Sequence, residues 1–174
     1  MINVNLTNKV YLIHGNQNLL VEETCNRIID QILAGRDREW SHERFKVHEM
    51  INSSGGSYDK STLDNFLISC DTFPMLTDRK IIQLDNFDLV KKSVKKTNEN
   101  SSIVRLFEAV SKIINDPPLN LWFLFTSQTM REQDFSKPLF RKIKQSGLIL
   151  KFNAYENNSP FKWLVKRADE KGLS

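Results

Sequence analysis

Leu121, Trp122, Phe123, Leu124 and Phe125 form an unbroken apolar run, and no other feature of the chain limits its fold so strongly. The run has the length of a strand, and a strand that is apolar at every residue is covered on both faces. Segments able to surround it recur along the chain. Residues 10–14 are a β-branched and aromatic run closed by Gly15, followed by Leu19, Leu20, Glu23, Ile28, Ile29 and Ile32 near helical spacing up to Gly35. Residues 44–50 read as a second strand, 80–84 as a third and 148–152 as a fifth. Between them Leu63, Phe66, Leu67 and Cys70 predict a short helix starting near Ser61 or Thr62. Ile103, Leu106, Phe107, Val110 and Ile113 predict another, stopping before Pro117-Pro118. Residues 135–145 predict a basic amphipathic helix with Leu139, Phe140 and Ile143 inward. The alternation implies an α/β protein with a mostly parallel sheet.

At 174 residues this is one domain, or one domain and the beginning of a second. The boundary falls at Asn157-Asn158-Ser159-Pro160, dividing a domain over 1–156 from a linker and helix over 157–174 that carries Phe161, Trp163, Leu164 and Val165. Residues 52–57 are rich in turn formers and 88–100 are polar and lysine-rich, so both read as irregular. A content of 40% hydrophobic and 26% charged residues is that of an ordinary globular chain. No stretch approaches the roughly 18 apolar residues of a membrane span, and the first nine residues lack a signal-peptide core. A cytoplasmic location is expected, with Cys25 and Cys70 as buried thiols too far apart for a CxxC clip.

A strand, a glycine and a helix at the amino end of such a domain is where a phosphate-binding loop would lie. Counting from Gly15, the second glycine, the lysine and the hydroxyl residue are replaced by Leu20, Val21 and Glu22. Phosphate charge compensation and magnesium ligation are thereby lost. The third strand ends Leu84-Asp85-Asn86, where an ATPase metal site would carry two acids, and a lone Asp there reads as a solvated turn or cap. His14, His42 and His48 lack metal-ligand spacing, and there is no G-x-S-x-G serine. The expectation is a protein with no catalytic centre, cofactor or metal.

Two features could bind a partner. Phe73-Pro74-Met75-Leu76 places apolar bulk between a helix and a strand, with Thr77-Asp78-Arg79-Lys80 directly after it. This reads either as an interface plug with a charged rim or as a cap on the sheet's core. Lys91, Lys92, Lys95 and Lys96 form one basic stretch, and Lys137, Arg141, Lys142 and Lys144 another. With a net charge of +4 these read as solvated faces or as DNA phosphate contacts. Trp40, Trp122 and Trp163 are not interleaved with them as a base-stacking platform.

The ordered set formed by residues 10–15, Leu19-Leu20-Val21-Glu22-Glu23, residues 72–80, residues 121–125, residues 137–144 and residues 163–168 resembles the delta subunit of bacterial DNA polymerase III, the clamp-opening subunit of the clamp loader. The resemblance implies an AAA+-type, P-loop NTPase-like α/β domain that has lost its nucleotide site, followed by the first helix of a lid domain. It implies a non-catalytic subunit of the polymerase holoenzyme. Met75 and Leu76 would enter a pocket on the sliding clamp, the beta subunit, with Phe73 and Pro74 shaping the loop. The gamma/tau and delta prime subunits would be further partners, and primed DNA would be met through the complex. A chain of this length would bind the clamp without assembling a loader. A standalone nucleic-acid-binding domain and a degenerate nucleotide-binding domain are the alternatives.

Overall fold

A computed structural model describes residues 7–50, 60–74, 77–87 and 102–153. Five strands, β1 (Val10–His14), β2 (His42–Lys46), β3 (Lys80–Asp85), β4 (Leu121–Ser127) and β5 (Leu148–Lys151), form one sheet in the order β2-β3-β4-β1-β5. Every pairing is parallel. Crossovers are therefore obligatory, and they carry α1 (Asn18–Leu33), α4 (Lys60–Asp71), α5 (Ser102–Asn115) and α6 (Pro138–Ser146).

The apolar run of β4 occupies the centre of the sheet, and its side chains alternate between two cores. Leu121, Phe123 and Phe125 join Val10, Leu12, Ile82 and Leu84 against α4, α5 and α6. Trp122 and Leu124 join Tyr11, Ile13 and Ile81 against α1. Cys25 and Cys70 are buried in separate cores and unbridged, and burial pushes both thiols up to about 12. Among the described residues no helix is long and apolar enough to cross a membrane.

Several boundaries differ from the sequence expectation. The second strand spans His42–Lys46, not 44–50, because its pairing with β3 runs from His42 opposite Ile81 to Lys46 opposite Asp85. Beyond it Val47 and Met50 are both buried by a single helical turn, α3 (Val47–Met50), whereas a strand would point them to opposite faces. A one-turn helix, α2 (Arg38–Ser41), precedes β2, with the Asp37 carboxylate accepting from the Glu39 amide at 2.9 Å. The helix expected over 135–145 starts at Pro138, after a 3-10 turn over Glu132–Ser136. Proline at the first helical position keeps Lys137 extended. β5 ends at Lys151, one residue early. In α1 the buried stripe begins at Val21, while Leu19 is exposed. The segments 52–57 and 88–100, with Lys91, Lys92, Lys95 and Lys96, and the unit 157–174 lie outside the described residues.

Candidate functional site

A parallel sheet receives all its strands at one edge. Five large apolar side chains are exposed among the described residues, and four of them lie where the chain approaches that amino edge. Trp40 precedes β2, Ile68 is in the last turn of α4, Phe73 lies between α4 and β3, and Leu119 precedes β4. Phe73 is 63% and Leu119 77% exposed, which excludes both from the core. Pro74 is half-buried. Met75 and Leu76 lie outside the described residues.

The loop that carries Phe73 is held at both ends. On one side the Thr72 hydroxyl donates to the Ile68 carbonyl at 2.6 Å. On the other, the Arg36 guanidinium grips the Asp78 carboxylate with Nε and Nη2, the latter at 2.7 Å, and Arg79 donates to the Ile32 carbonyl at 2.7 Å. Arg36 holds the Asp78 carboxyl below the usual carboxylate range. Lys80 is buried, donating to the Ser69 carbonyl at 3.2 Å and pairing with Glu43 at 2.6 Å. Of the charges expected as a rim beside an apolar plug, Lys80 is buried as an anchor, whereas Asp78 stays exposed and is paired at the surface with Arg36. The neighbouring loop is fixed too: Lys9 donates to the Leu119 carbonyl at 2.6 Å with its ammonium 3.3 Å from the centre of the Trp122 ring. Apolar side chains presented on such a preset edge lose little conformational freedom on docking.

At the opposite edge lies the turn after β1, whose sequence lacks the phosphate-loop pattern. Its amides are engaged by backbone carbonyls: Gly15 donates to Ser127 at 3.0 Å and Gln17 to Phe152 at 3.3 Å. Asp85 corrects the expectation of a solvated cap. It is buried, Oδ1 accepting from Gln83 at 2.9 Å and from Thr126 at 2.7 Å, and Oδ2 accepting from Arg44 Nε at 2.6 Å. The other two Arg44 nitrogens reach Glu22 on α1 at 3.0 and 3.2 Å. Arg44 carried no motif, and its role becomes visible only when β2 is laid beside β3.

His42 extends this network through a 3.0 Å hydrogen bond with Gln83. Burial holds its imidazole below the ordinary 6.5, and the Gln83 bond only partly opposes this. The unfolded chain therefore takes up a proton near pH 6.5 that the folded chain accepts only at lower pH, so this group costs stability as the pH falls from 6.5 towards the folded value. Urea midpoints measured at pH 7.5 and 5.5 should drop for the wild type and drop less for His42→Asn. Equal drops would assign the acid sensitivity to other groups.

The basic helix residues have internal partners. Lys137 pairs with Asp134 at 3.2 Å, Arg141 donates to the Ser136 carbonyl at 2.8 Å, and Lys142 donates to Asn115 at 2.7 Å. These contacts tie α6 to the turn before it and to the end of α5. Lys144 is exposed beside a cavity of about 220 Å³ lined by His14, Glu132, Phe135, Ile149 and Lys151.

Comparison with known proteins places this geometry. No curated protein matches the sequence. Among solved structures, the Bacillus subtilis DNA clamp loader delta protein superposes with a TM-score of 0.66 at 17% identity, over 94% of this chain and 43% of that one. A Thermotoga maritima DNA polymerase III gamma subunit-related protein gives 0.54 at 13% identity, over 96% and 49%. A chain of the Escherichia coli HORMA:CdnC:Trip13 complex gives 0.53 at 14%, over 96% and 55%. The chain thus spans about half the length of the structures it matches, and at these identities they speak for the fold alone. The family model described as DNA polymerase III, delta subunit, matches residues 11–153, from β1 past the end of β5, and the chain therefore belongs to the delta-subunit family of DNA polymerase III.

Proposed function

We propose that this chain binds a sliding clamp, the beta subunit, through the loop over residues 73–76 and favours the clamp's open form. The observation that carries the reading is an exposed Phe73 on a doubly anchored loop, after the exposed Ile68 in the last turn of α4, in a chain of the delta-subunit family. Met75 and Leu76 act as the plug, with Phe73 and Pro74 shaping it. A plug that fits the open clamp better than the closed one shifts the equilibrium by that difference in affinity and needs no chemistry of its own. The chain is then a non-catalytic member of the polymerase holoenzyme. ATP is bound by sister subunits, gamma/tau and delta prime complete the loader, and primed DNA is met through the assembly. Residues 1–156 form the clamp-binding domain, and 157–174 begin a helical lid.

The test is calorimetric titration of the chain into a sliding clamp beside the folded Met75→Ala/Leu76→Ala variant. Saturable binding should weaken by about 2 kcal/mol for each side chain, roughly 30-fold apiece. A wild-type chain that fails to bind, or a folded variant that binds equally well, would overturn the reading. DNA affinity that falls steeply with salt and ignores the double substitution would instead favour a nucleic-acid role for Lys137, Arg141, Lys142 and Lys144.

A further inference from the structure

We propose that Arg44 is the resident cation beside the degenerate phosphate-loop sequence, satisfying from within the chain the negative charge that a bound metal would otherwise answer. Asp85 stands at the carboxyl end of β3 with its side chain only 10% exposed, and a carboxylate taken this far out of water needs a compensating positive charge. Arg44 supplies it. One nitrogen is 2.6 Å from Asp85 while the other two hold Glu22, the residue standing where the sequence has lost its metal-binding hydroxyl. The remaining oxygen of Asp85 is satisfied by Gln83 and Thr126, so this carboxylate has hydrogen-bond partners on both oxygens.

The arrangement also has a mechanical role. The apolar core against α1 draws on β1, β3, β4 and β5 but on no residue of β2 among the described residues. The Arg44–Glu22 pair therefore links edge strand β2 to α1, and the link to Asp85 joins both to β3. Helix and sheet edge keep one relation whether or not any ligand is present.

The experiment compares thermal midpoints of the full chain for wild type, Arg44→Met, Asp85→Asn and the double variant, with and without magnesium and ATP. Arg44→Met keeps most of the volume and removes the charge. It should lower the midpoint by roughly 3–8 °C, because it strands the Asp85 carboxylate. Adding Asp85→Asn should recover at least half of that loss, since the stranded charge disappears, and magnesium with ATP should leave the wild-type midpoint unmoved. Three results would overturn the proposal: Arg44→Met melting like the wild type, Asp85→Asn adding its own full loss on top, or a ligand-induced shift in the wild type. If Arg44→Met does not fold, a folded double variant supports the same conclusion, and failure of both overturns it.

Discussion

Gly15→Ala is expected to destabilise the protein by about 3 kcal/mol or more, far beyond the cost of an ordinary glycine substitution. Gly15 has φ +142°, a region that side-chain-bearing residues rarely enter. A β-carbon there would lie 2.5 Å from the Phe152 carbonyl carbon and closer still to its oxygen. That carbonyl cannot simply retreat, because it accepts from Gln17 while the Phe152 amide donates to His14 at 2.8 Å. Relief requires the chain leaving β5 to separate from β1. Gly35→Ala is the control: φ is +85°, but no atom lies within 4 Å of its β-carbon position, so only backbone strain of about 1 kcal/mol is expected. Urea unfolding of the two variants separates the effects. Equal losses would show that the close approach to Phe152 costs nothing. The glycine that resembles the start of a phosphate loop is here required by strand packing.

A second large effect is expected at Phe87. Its ring stacks on Phe125 with centroids 4.4 Å apart and meets Phe140 edge-on at 5.4 Å, joining the end of β3 to β4 and α6. All three are fully buried. Phe87→Ala should cost about 3–5 kcal/mol, a large part of the stability of a typical domain. The thermal midpoint should fall by about 10 °C, and Phe87→Leu, which leaves a smaller cavity, should fall by less than half as much. A fall below about 3 °C for the alanine variant would mean that the surrounding side chains collapse into the space.

The parallel sheet was legible because its central strand announces itself: five apolar residues in succession report two covered faces without knowledge of any partner. Residues whose environment depends on distant chain were misread. Asp85 looks solvated among its sequence neighbours, yet the groups that bury it, Arg44 and Thr126, each lie 41 positions away. Asp78 is the surface charge it looks like, but its partner Arg36, just past the end of α1, lies 42 positions away and is not legible beside it. Phe73 could be flagged by its apolar company in a loop. Ile68 and Leu119 could not, because their exposure depends on which face of α4 turns inward and where β4 begins. The boundary at α3 failed for a similar reason: strand β2 ends when its pairing with β3 ends, and nothing in residues 44–50 records that.

The anchored loop and the Arg44–Asp85 pair occupy opposite ends of the sheet, about 20 Å apart for strands of this length. Parallel hydrogen bonding and a dense core on both faces make that distance the arm of a stiff lever. Torque applied by a neighbouring body at the carboxyl end would reach the loop with little lost to bending. A turn of about 10° about the carboxyl end would sweep the loop through roughly 3.5 Å.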